Sequence, residues 1–355
     1  MRDRQNRSKP YHRYQSTLSA SAGHRYQACP LPGPAGLHRQ PRPLRPGSRQ
    51  NVTKDKSMRA LAEFIMRGRM QATLVVAGCA ALPLLFWLSA AAGCLVLLRR
   101  GFSDAVGVLA WALLPALVWW YFGEPRTAMA LAGSLGLAMV LRASESWVRV
   151  LLVSVALGVV YAVILGTVFR EPLEAMSQEL QKHLPTMLAG LYEQMNVEER
   201  ARLGALIAPV LNGLIAAVLQ IVSVLCLLLG RYWQALLYNP GGFGREFRAV
   251  KLPLVAALVL LVCMLVGPNF GPQIAMLTPL CSVPLVFAGL ALIHGLVAEK
   301  RLSRFWLVGM YITLLVFMQL IYPLLVVIAI VDSLIDFRGR RGSKDSGNGP
   351  ANGEG

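Results

Sequence analysis

The chain has 355 residues, of which 55% are apolar and only 15% are charged, and its mean hydropathy is +0.52. Soluble domains carry about 25% charged residues, so this composition excludes an ordinary soluble globular protein. Its apolar runs can cross the hydrocarbon core as helices of about 20 residues each, and they do not alternate as the strands of a transmembrane β-barrel would. They predict an all-α, polytopic helical integral membrane protein with about eight to ten membrane segments.

The net charge of +17 is concentrated in residues 1–57, which hold twelve Lys and Arg against Asp3 and Asp55. This stretch is rich in Arg, Pro, Gly and Ser, so it predicts a disordered basic tail with little apolar surface to bury. It could be an arm for nucleic acid or anionic lipid, a transit peptide, or a non-native segment read from an early start codon. We favour the last, because Met58 opens an amphipathic helix, and we expect no nucleic-acid binding.

Nine apolar runs follow the tail. Two regions, Thr73–Leu98 and Phe305–Val331, are interrupted by Pro83 and Pro323. Each is therefore either one long tilted helix or a tight helical pair. The runs are Ala60–Leu82, Leu84–Leu98, Phe102–Tyr121, Thr127–Leu141, Val148–Phe169, Leu203–Gly230, Leu252–Val266, Gln273–Val297 and Phe305–Val331.

The placement of Lys and Arg predicts the orientation, since cytoplasmic loops carry an excess of both. Residues 58–341 are the predicted helical domain, expected in the lipid bilayer of a bacterial inner membrane, and residues 342–355 are a predicted disordered tail. If both interrupted regions turn back, eighteen Lys and Arg after Met58 lie inside and five lie outside. The loops then predicted to be cytoplasmic are Arg99–Gly101, Arg142–Arg149, Arg231–Lys251 and Glu299–Arg304.

The segment 170–202 is the longest polar stretch between the apolar runs, and we expect it to form an amphipathic outer loop. We expect Pro185 to kink or break its helix, and Asn196 with Glu199 predicts a capping box at the start of the next helix. Either a helix lying on the outer leaflet or a lid over an outward-facing pocket would explain the segment. Its apolar stripe comprises Leu173, Met176, Leu180, Leu184, Met187, Leu191 and Met195.

The sequence contains no P-loop, GxSxG or HExxH motif and no Cys/His spacing typical of zinc. We therefore expect no enzyme activity, cofactor or metal. The apolar runs carry no Asp, Glu or Lys deep inside, which argues against a proton-driven carrier. The glycine-rich basic segment Asn239–Arg248 is interpreted as a flexible loop that could dock a soluble partner. His294 is interpreted as a packed or interfacial residue.

The run Leu203–Gly230 carries Asn212 and Gln220 among apolar neighbours. At about 100° per residue they fall roughly 80° apart around a helix, so both can face one interior groove. An unpaired amide in hydrocarbon costs several kcal/mol, so each should pair with a neighbouring helix, a water or a ligand. Hydrogen bonds between helices and a ligand site both stay open. The companions predicted for a ligand site are Asn269, Gln273, Gln319 and Tyr322.

The last apolar run leads into Asp332, Asp336 and Arg340, which recur every fourth residue and so share one helix face. Charges at the end of a membrane helix usually reach the headgroup zone. We interpret this face as a lipid-interface anchor, with docking of a partner as the alternative.

Three segments carry a resemblance to a known family: "MRALAEFIMRGRMQA" from Met58, "LVLLRRGFSDA" from Leu95 and "IDFRGR" from Ile335. They resemble the YybS-like bacterial membrane proteins, a family of unknown function, over roughly Met58 to Arg341. That family is in turn similar to the substrate-capturing membrane subunits of energy-coupling-factor vitamin transporters. The resemblance implies a small-ligand-capturing, transport-associated component with a cytoplasmic or membrane energising partner. The alternatives are a non-transporting membrane scaffold or envelope-assembly factor, and a membrane enzyme acting on lipid.

Overall fold

The computed structural model describes residues 46–303 and 305–335, which form helices and no strand. Six helices in this part of the chain are long and apolar enough to cross a membrane, and two shorter apolar helices accompany them. The predicted class, an all-α multi-pass membrane protein, is therefore confirmed. The predicted C-terminal tail, 342–355, lies outside the described residues.

Fourteen α-helices and one short 3-10 helix make up the described residues. Because α1 begins at Pro46, residues 46–57 of the predicted disordered tail are helical, and residues 1–45 lie outside the described part. The first seven helices are α1 Pro46–Arg67, α2 Arg69–Ala81, α3 Phe86–Arg100, α4 Phe102–Tyr121, α5 Arg126–Ser144, α6 Trp147–Val168 and α7 Arg170–Gln194. The others are α8 Val197–Tyr238, α9 Gly242–Arg248, α10 Leu254–Val266, the 3-10 helix Gly267–Phe270, α11 Pro272–Ala275, α12 Leu277–Glu299, α13 Phe305–Val316 and α14 Met318–Ile335.

The first interrupted region is a helical pair, formed by α2 and α3 with a turn around Pro83. The Ser89 hydroxyl on α3 donates a hydrogen bond of 2.7 Å to the Val76 carbonyl on α2. Further along α3, the Arg100 guanidinium donates at 2.9 Å to the carbonyl of Met66, which lies at the end of α1 just before α2 begins. Residues later in α3 thus contact residues earlier in the chain before it. The two segments therefore run antiparallel, and the chain turns back.

The second interrupted region is also a helical pair, formed by α13 and α14. The chain turns back at Phe317 and not at Pro323, which lies inside α14. The Ser333 hydroxyl near the end of α14 donates to the Leu252 carbonyl at 3.1 Å. Nearby along the chain, the Arg248 carbonyl oxygen lies 3.7 Å from the position of a Cβ on Gly295, close to the end of α12. The chain therefore leaves the end of α12 through α13 and returns to the same end of the bundle through α14.

Helix α8 is the central element of the fold. Its 42 residues extend roughly 63 Å at 1.5 Å per residue, about twice the 30 Å hydrocarbon core, so its ends project beyond that core. It packs against α3, α5, α6, α7, α9, α11 and α12. The predicted capping box at its start is confirmed, because Asn196 accepts from the Glu199 amide at 2.8 Å and Glu199 accepts from the Asn196 amide at 2.9 Å.

Helix α12 is buried on all sides from Leu280 to Leu292 and joins two hydrophobic clusters. Leu280 and Val283 belong to the larger cluster, which also includes residues of α3, α5, α6 and α8. Leu285 and Ala288 belong to the smaller one, formed with α10 and α14. A helix that is apolar all round is expected in such a position.

Small residues let these helices approach closely, as is common where membrane helices pack. A Cβ on Gly230 of α8 would lie 2.7 Å from the Cys94 Cβ and 2.8 Å from the Ala91 carbonyl oxygen of α3. A Cβ on Gly213 would lie 2.6 Å from the Met276 carbonyl oxygen, just before α12. Both contacts are closer than a side chain permits, so glycine is required there for the helices to pack as they do.

Helix α7 contains Pro185 without an interruption, so the expected break is absent. It folds back beside the first turns of α8, since Gln181 donates to the Gly204 carbonyl at 3.3 Å. Most of its apolar stripe is uncovered, with Met187 68% and Leu191 60% exposed. This exposure agrees with the interpretation of a helix lying on a lipid surface.

The loops predicted to be cytoplasmic meet at one end of the bundle, which we call the basic end. The Arg142 guanidinium donates to the carbonyls of Leu97 and Leu98 at 3.0 and 3.3 Å, and Gln234 donates to the Leu98 carbonyl at 3.3 Å. The ends of α3, α5 and α8 are thereby joined. Described arginines in these loops and helix ends are Arg99, Arg100, Arg142, Arg149, Arg231, Arg245, Arg248 and Arg301.

Candidate functional site

The predicted polar residues of α8 lie in a buried seam against α6. The Asn212 side-chain amide donates to the Ala162 carbonyl at 2.9 Å, and the Gln220 amide donates to the Ser154 hydroxyl at 2.9 Å. Asn212 is 8% exposed and Gln220 is fully buried. The two residues therefore share one face of α8, as their spacing predicts, but they bond to a neighbouring helix.

A tyrosine extends the same seam towards α5. The Tyr161 hydroxyl donates to the Met129 carbonyl at 2.8 Å, and its oxygen lies 2.8 Å from the Ser223 hydroxyl oxygen. A Cβ on Gly133 would overlap the Tyr161 oxygen, so the glycine leaves room for this hydroxyl. These bonds tie α5, α6 and α8 together inside the bundle.

The seam leaves two acceptor atoms without a hydrogen-bond partner among the described residues, namely Asn212 Oδ1 and Gln220 Oε1. Gln220 Oε1 lies against the backbone of Gly158, because a Cβ there would lie 2.7 Å from that oxygen and 2.8 Å from Leu280 Cδ2. Close packing therefore surrounds the Gln220 amide. This geometry favours bonds between helices over a ligand groove at Gln220.

The other predicted companions are placed elsewhere in the fold. Asn269, Gln273 and Gln319 are exposed. The Tyr322 hydroxyl is 2.7 Å from the Ser282 hydroxyl and so links α14 to α12. The structure does not bring these four residues together with Asn212 and Gln220.

Asp332, the first residue of the charged face predicted at the end of the last helix, is not at the lipid interface as expected. Asp332 is only 3% exposed, so it lies within the bundle and not at an open lipid interface. The reason is that the last turns of α14 pack beside the start of α10, where Ser333 bonds to Leu252. Asp336 and Arg340 lie outside the described residues.

A cavity of about 500 Å³ lies at the basic end between α8, α9, α12 and α13, and we call it the α9 cavity. The segment interpreted as a flexible loop, Asn239–Arg248, contains the helix α9. Phe243 and Phe247 of α9 stack with ring centroids 6.0 Å apart, and Phe247 makes a T-shaped contact with His294 at a centroid distance of 5.4 Å. The aromatic rings thus form one wall of the cavity.

Polar groups of the α9 cavity are cationic or neutral. The His294 Nε2 atom is 2.8 Å from the Tyr311 hydroxyl, and Arg248 and Arg301 also line the cavity. The described residues that line it include no Asp or Glu. Pockets of about 300–1,000 Å³ with mostly apolar walls and a few polar groups are typical of small-molecule sites. The chemistry suits a ligand with an apolar body and an anionic head.

Sequence reasoning missed this cavity, although it had noted Asn239–Arg248 and His294 separately. The Phe and Arg residues interspersed along α9 are the feature of the sequence that could have indicated the cavity. Among the described residues, no group of three or more His, Cys, Asp or Glu could hold a metal ion.

Comparison with models of known protein families, with curated proteins and with solved structures finds no match to this chain. The resemblance to the YybS-like family therefore has no support from these comparisons, and the functional argument depends on the geometry of the chain itself.

Proposed function

We propose that this protein is a transport-associated membrane component that captures a small amphipathic anion in the α9 cavity. The observation that carries the proposal is the lining of that cavity, which combines aromatic rings with Arg248 and Arg301 and contains no described carboxylate. Stacked rings accept an apolar body, and arginines bind a carboxylate or phosphate through paired hydrogen bonds.

The proposal includes the finer predictions of membrane topology. The protein would lie in a bacterial inner membrane with about eight to ten membrane segments and its basic end in the cytoplasm. The clustering of the basic loops at one end supports this orientation, because cytoplasmic loops are rich in Lys and Arg. A cytoplasmic or membrane energising partner would meet this end, where α9 lies.

Replacing Arg301 by glutamine is expected to reduce retention of the captured anion by about tenfold or more, because one of the two cationic donors is lost. Mass spectrometry of small molecules that co-purify with the detergent-solubilised protein measures this loss. Lys300→Gln is the matched control, since it removes a neighbouring exposed cation that does not line the cavity. Equal retention by both variants, or no retained anion in the unaltered protein, would overturn the proposal.

The orientation makes a separate prediction for cysteine labelling of intact cells. Gln178→Cys on α7 is expected to react with a membrane-impermeant thiol reagent, whereas Ala249→Cys after α9 should react only after permeabilisation. Both positions are exposed, so accessibility to the reagent reports the side of the membrane. The unaltered chain, whose five described cysteines are free, provides the background. Reversed labelling would contradict the orientation.

A non-transporting scaffold is the second candidate, and the sealed seam between α6 and α8 favours it. The fully buried Gln220 donates to Ser154 of α6 and is closely packed, so the bundle leaves no room for a substrate at that point. Stable co-purification of envelope proteins without any small molecule would support the scaffold over ligand capture.

A further inference from the structure

A second cavity, of about 410 Å³, lies at the basic end near the ends of α3 and α5 and the start of α6. Trp147 lines it and is 8% exposed, and its indole Nε1 has no hydrogen-bond acceptor among the described residues. An indole N–H can only donate, and buried donors in native proteins are almost always paired. Among the described residues no acceptor meets this donor, so an oxygen of a ligand in the cavity would satisfy it.

Two further groups of the second cavity can contact a ligand. Arg142 bonds to the carbonyls of Leu97 and Leu98 through Nη1, which leaves donors on its other nitrogens. Glu145 is exposed and forms no ion pair among the described residues. The cavity therefore combines two hydrogen-bond donors, Trp147 and Arg142, with one carboxylate acceptor, Glu145. All three lie at the junction of α5 and α6.

The remaining charged groups of the second cavity neutralise each other. Arg231 pairs with Glu246 through two hydrogen bonds, with Nε to Oε2 at 3.0 Å, and Arg231 also donates to Gln234. The lining therefore carries two arginines and two glutamates. Arg142 and Glu145 remain for a ligand. A purely anionic ligand would be repelled by Glu145 and a purely cationic one by Arg142, whereas a zwitterion matches both.

We propose that the second cavity binds a zwitterionic group with a phosphate and a primary ammonium, such as the headgroup of phosphatidylethanolamine. The phosphate accepts from Trp147 Nε1 and Arg142, and the ammonium donates to Glu145. The position of the cavity at the helix ends suits a headgroup, because charged side chains there reach the headgroup zone. The two cavities share no lining residue, so binding of a headgroup here is tested separately from capture of an anion in the α9 cavity.

The test is a titration of the full-length protein in detergent with phosphatidylethanolamine or phosphatidylglycerol, followed by native mass spectrometry. The unaltered protein is expected to prefer phosphatidylethanolamine. Trp147→Phe keeps an aromatic ring but removes the N–H, and should weaken that binding by about tenfold. Trp233→Phe is the matched control, because Trp233 is also buried with an unpaired Nε1 among described residues but does not line the cavity.

Glu145→Gln provides a second variant at an exposed position, where the fold tolerates the change. It should remove the preference for phosphatidylethanolamine over phosphatidylglycerol, because the latter has no ammonium. Thermal stabilisation by free phosphoethanolamine, lost in both variants, would assign a soluble ligand, whereas binding of the lipid alone would assign a membrane source. Equal binding by Trp147→Phe and Trp233→Phe, a preference unchanged in Glu145→Gln, or no binding of either ligand would overturn the proposal.

Discussion

Replacing Gly289 by alanine is expected to lower the free energy of unfolding in detergent by about 1–3 kcal/mol, the usual cost of overpacking a core. Gly289 of α12 faces the Leu325 carbonyl oxygen of α14, and a Cβ would lie closer to that oxygen than real side chains permit. Because the obstacle is backbone, no side chain can rotate away to relieve the contact. The whole of α14 would have to shift from α12, loosening the cluster that contains Leu285 and Ala288.

Gly136→Ala on α5 is the matched control, since nothing lies within 4 Å of its Cβ position. Alanine in a helix interior gains about 0.5–1 kcal/mol over glycine, so this variant should melt at the same or a higher temperature than the unaltered protein. Thermal melting followed by tryptophan fluorescence compares the two variants. Equal melting temperatures would contradict the close contact between α12 and α14.

Replacing Glu246 by glutamine is expected to destabilise the protein by about 1–2 kcal/mol and to reduce retention of the proposed anion by about tenfold or more. Glu246 is the residue of α9 that pairs with Arg231 of α8, and the two side chains are 31% and 25% exposed. Removal of the carboxylate leaves a partly buried guanidinium without its counter-charge. Loss of this link should let α9 move, and with it Phe243 and Phe247 of the cavity wall.

A matched ion pair on the surface separates this effect from a general loss of charge. Glu63→Gln removes the partner of Arg59 in a pair whose side chains are 49% and 57% exposed, and exposed pairs contribute about 0–1 kcal/mol. The double variant Arg231→Met with Glu246→Gln should recover part of the stability lost by Glu246→Gln alone. Strictly additive losses, or an equal loss in Glu63→Gln, would rule out the link between α8 and α9.

Sequence alone was enough to predict the helical class, most of the long apolar helices and the capping box at Asn196. These features depend on residues close together in the chain. Hydrocarbon requires every backbone polar group to be bonded within its own helix, so a sufficiently long apolar run is itself the signal. The capping box is similarly local, because Asn196 and Glu199 satisfy each other's backbone amides within one turn.

The shared face of Asn212 and Gln220 was also predictable, because helical periodicity places them on the same side of α8. Their partners were not, since periodicity does not say which helix packs against that face. Only the packed bundle brings Ala162 and Ser154 of α6 to these amides. Gln319 is a second case in which the sequence does not predict the surroundings of a polar residue. It is exposed, because a polar residue in an apolar run can face lipid or solvent as well as a groove.

The α9 cavity was decided by the tertiary structure. Its walls come from α8, α9, α12 and α13, so residues far apart in the chain, such as Phe247, His294 and Tyr311, meet only after folding. The burial of Asp332 was likewise set by α10 packing beside the last turns of α14. Local composition specifies where helices form, whereas the close contacts that shape cavities depend on which helices pack together, and that choice belongs to the folded bundle.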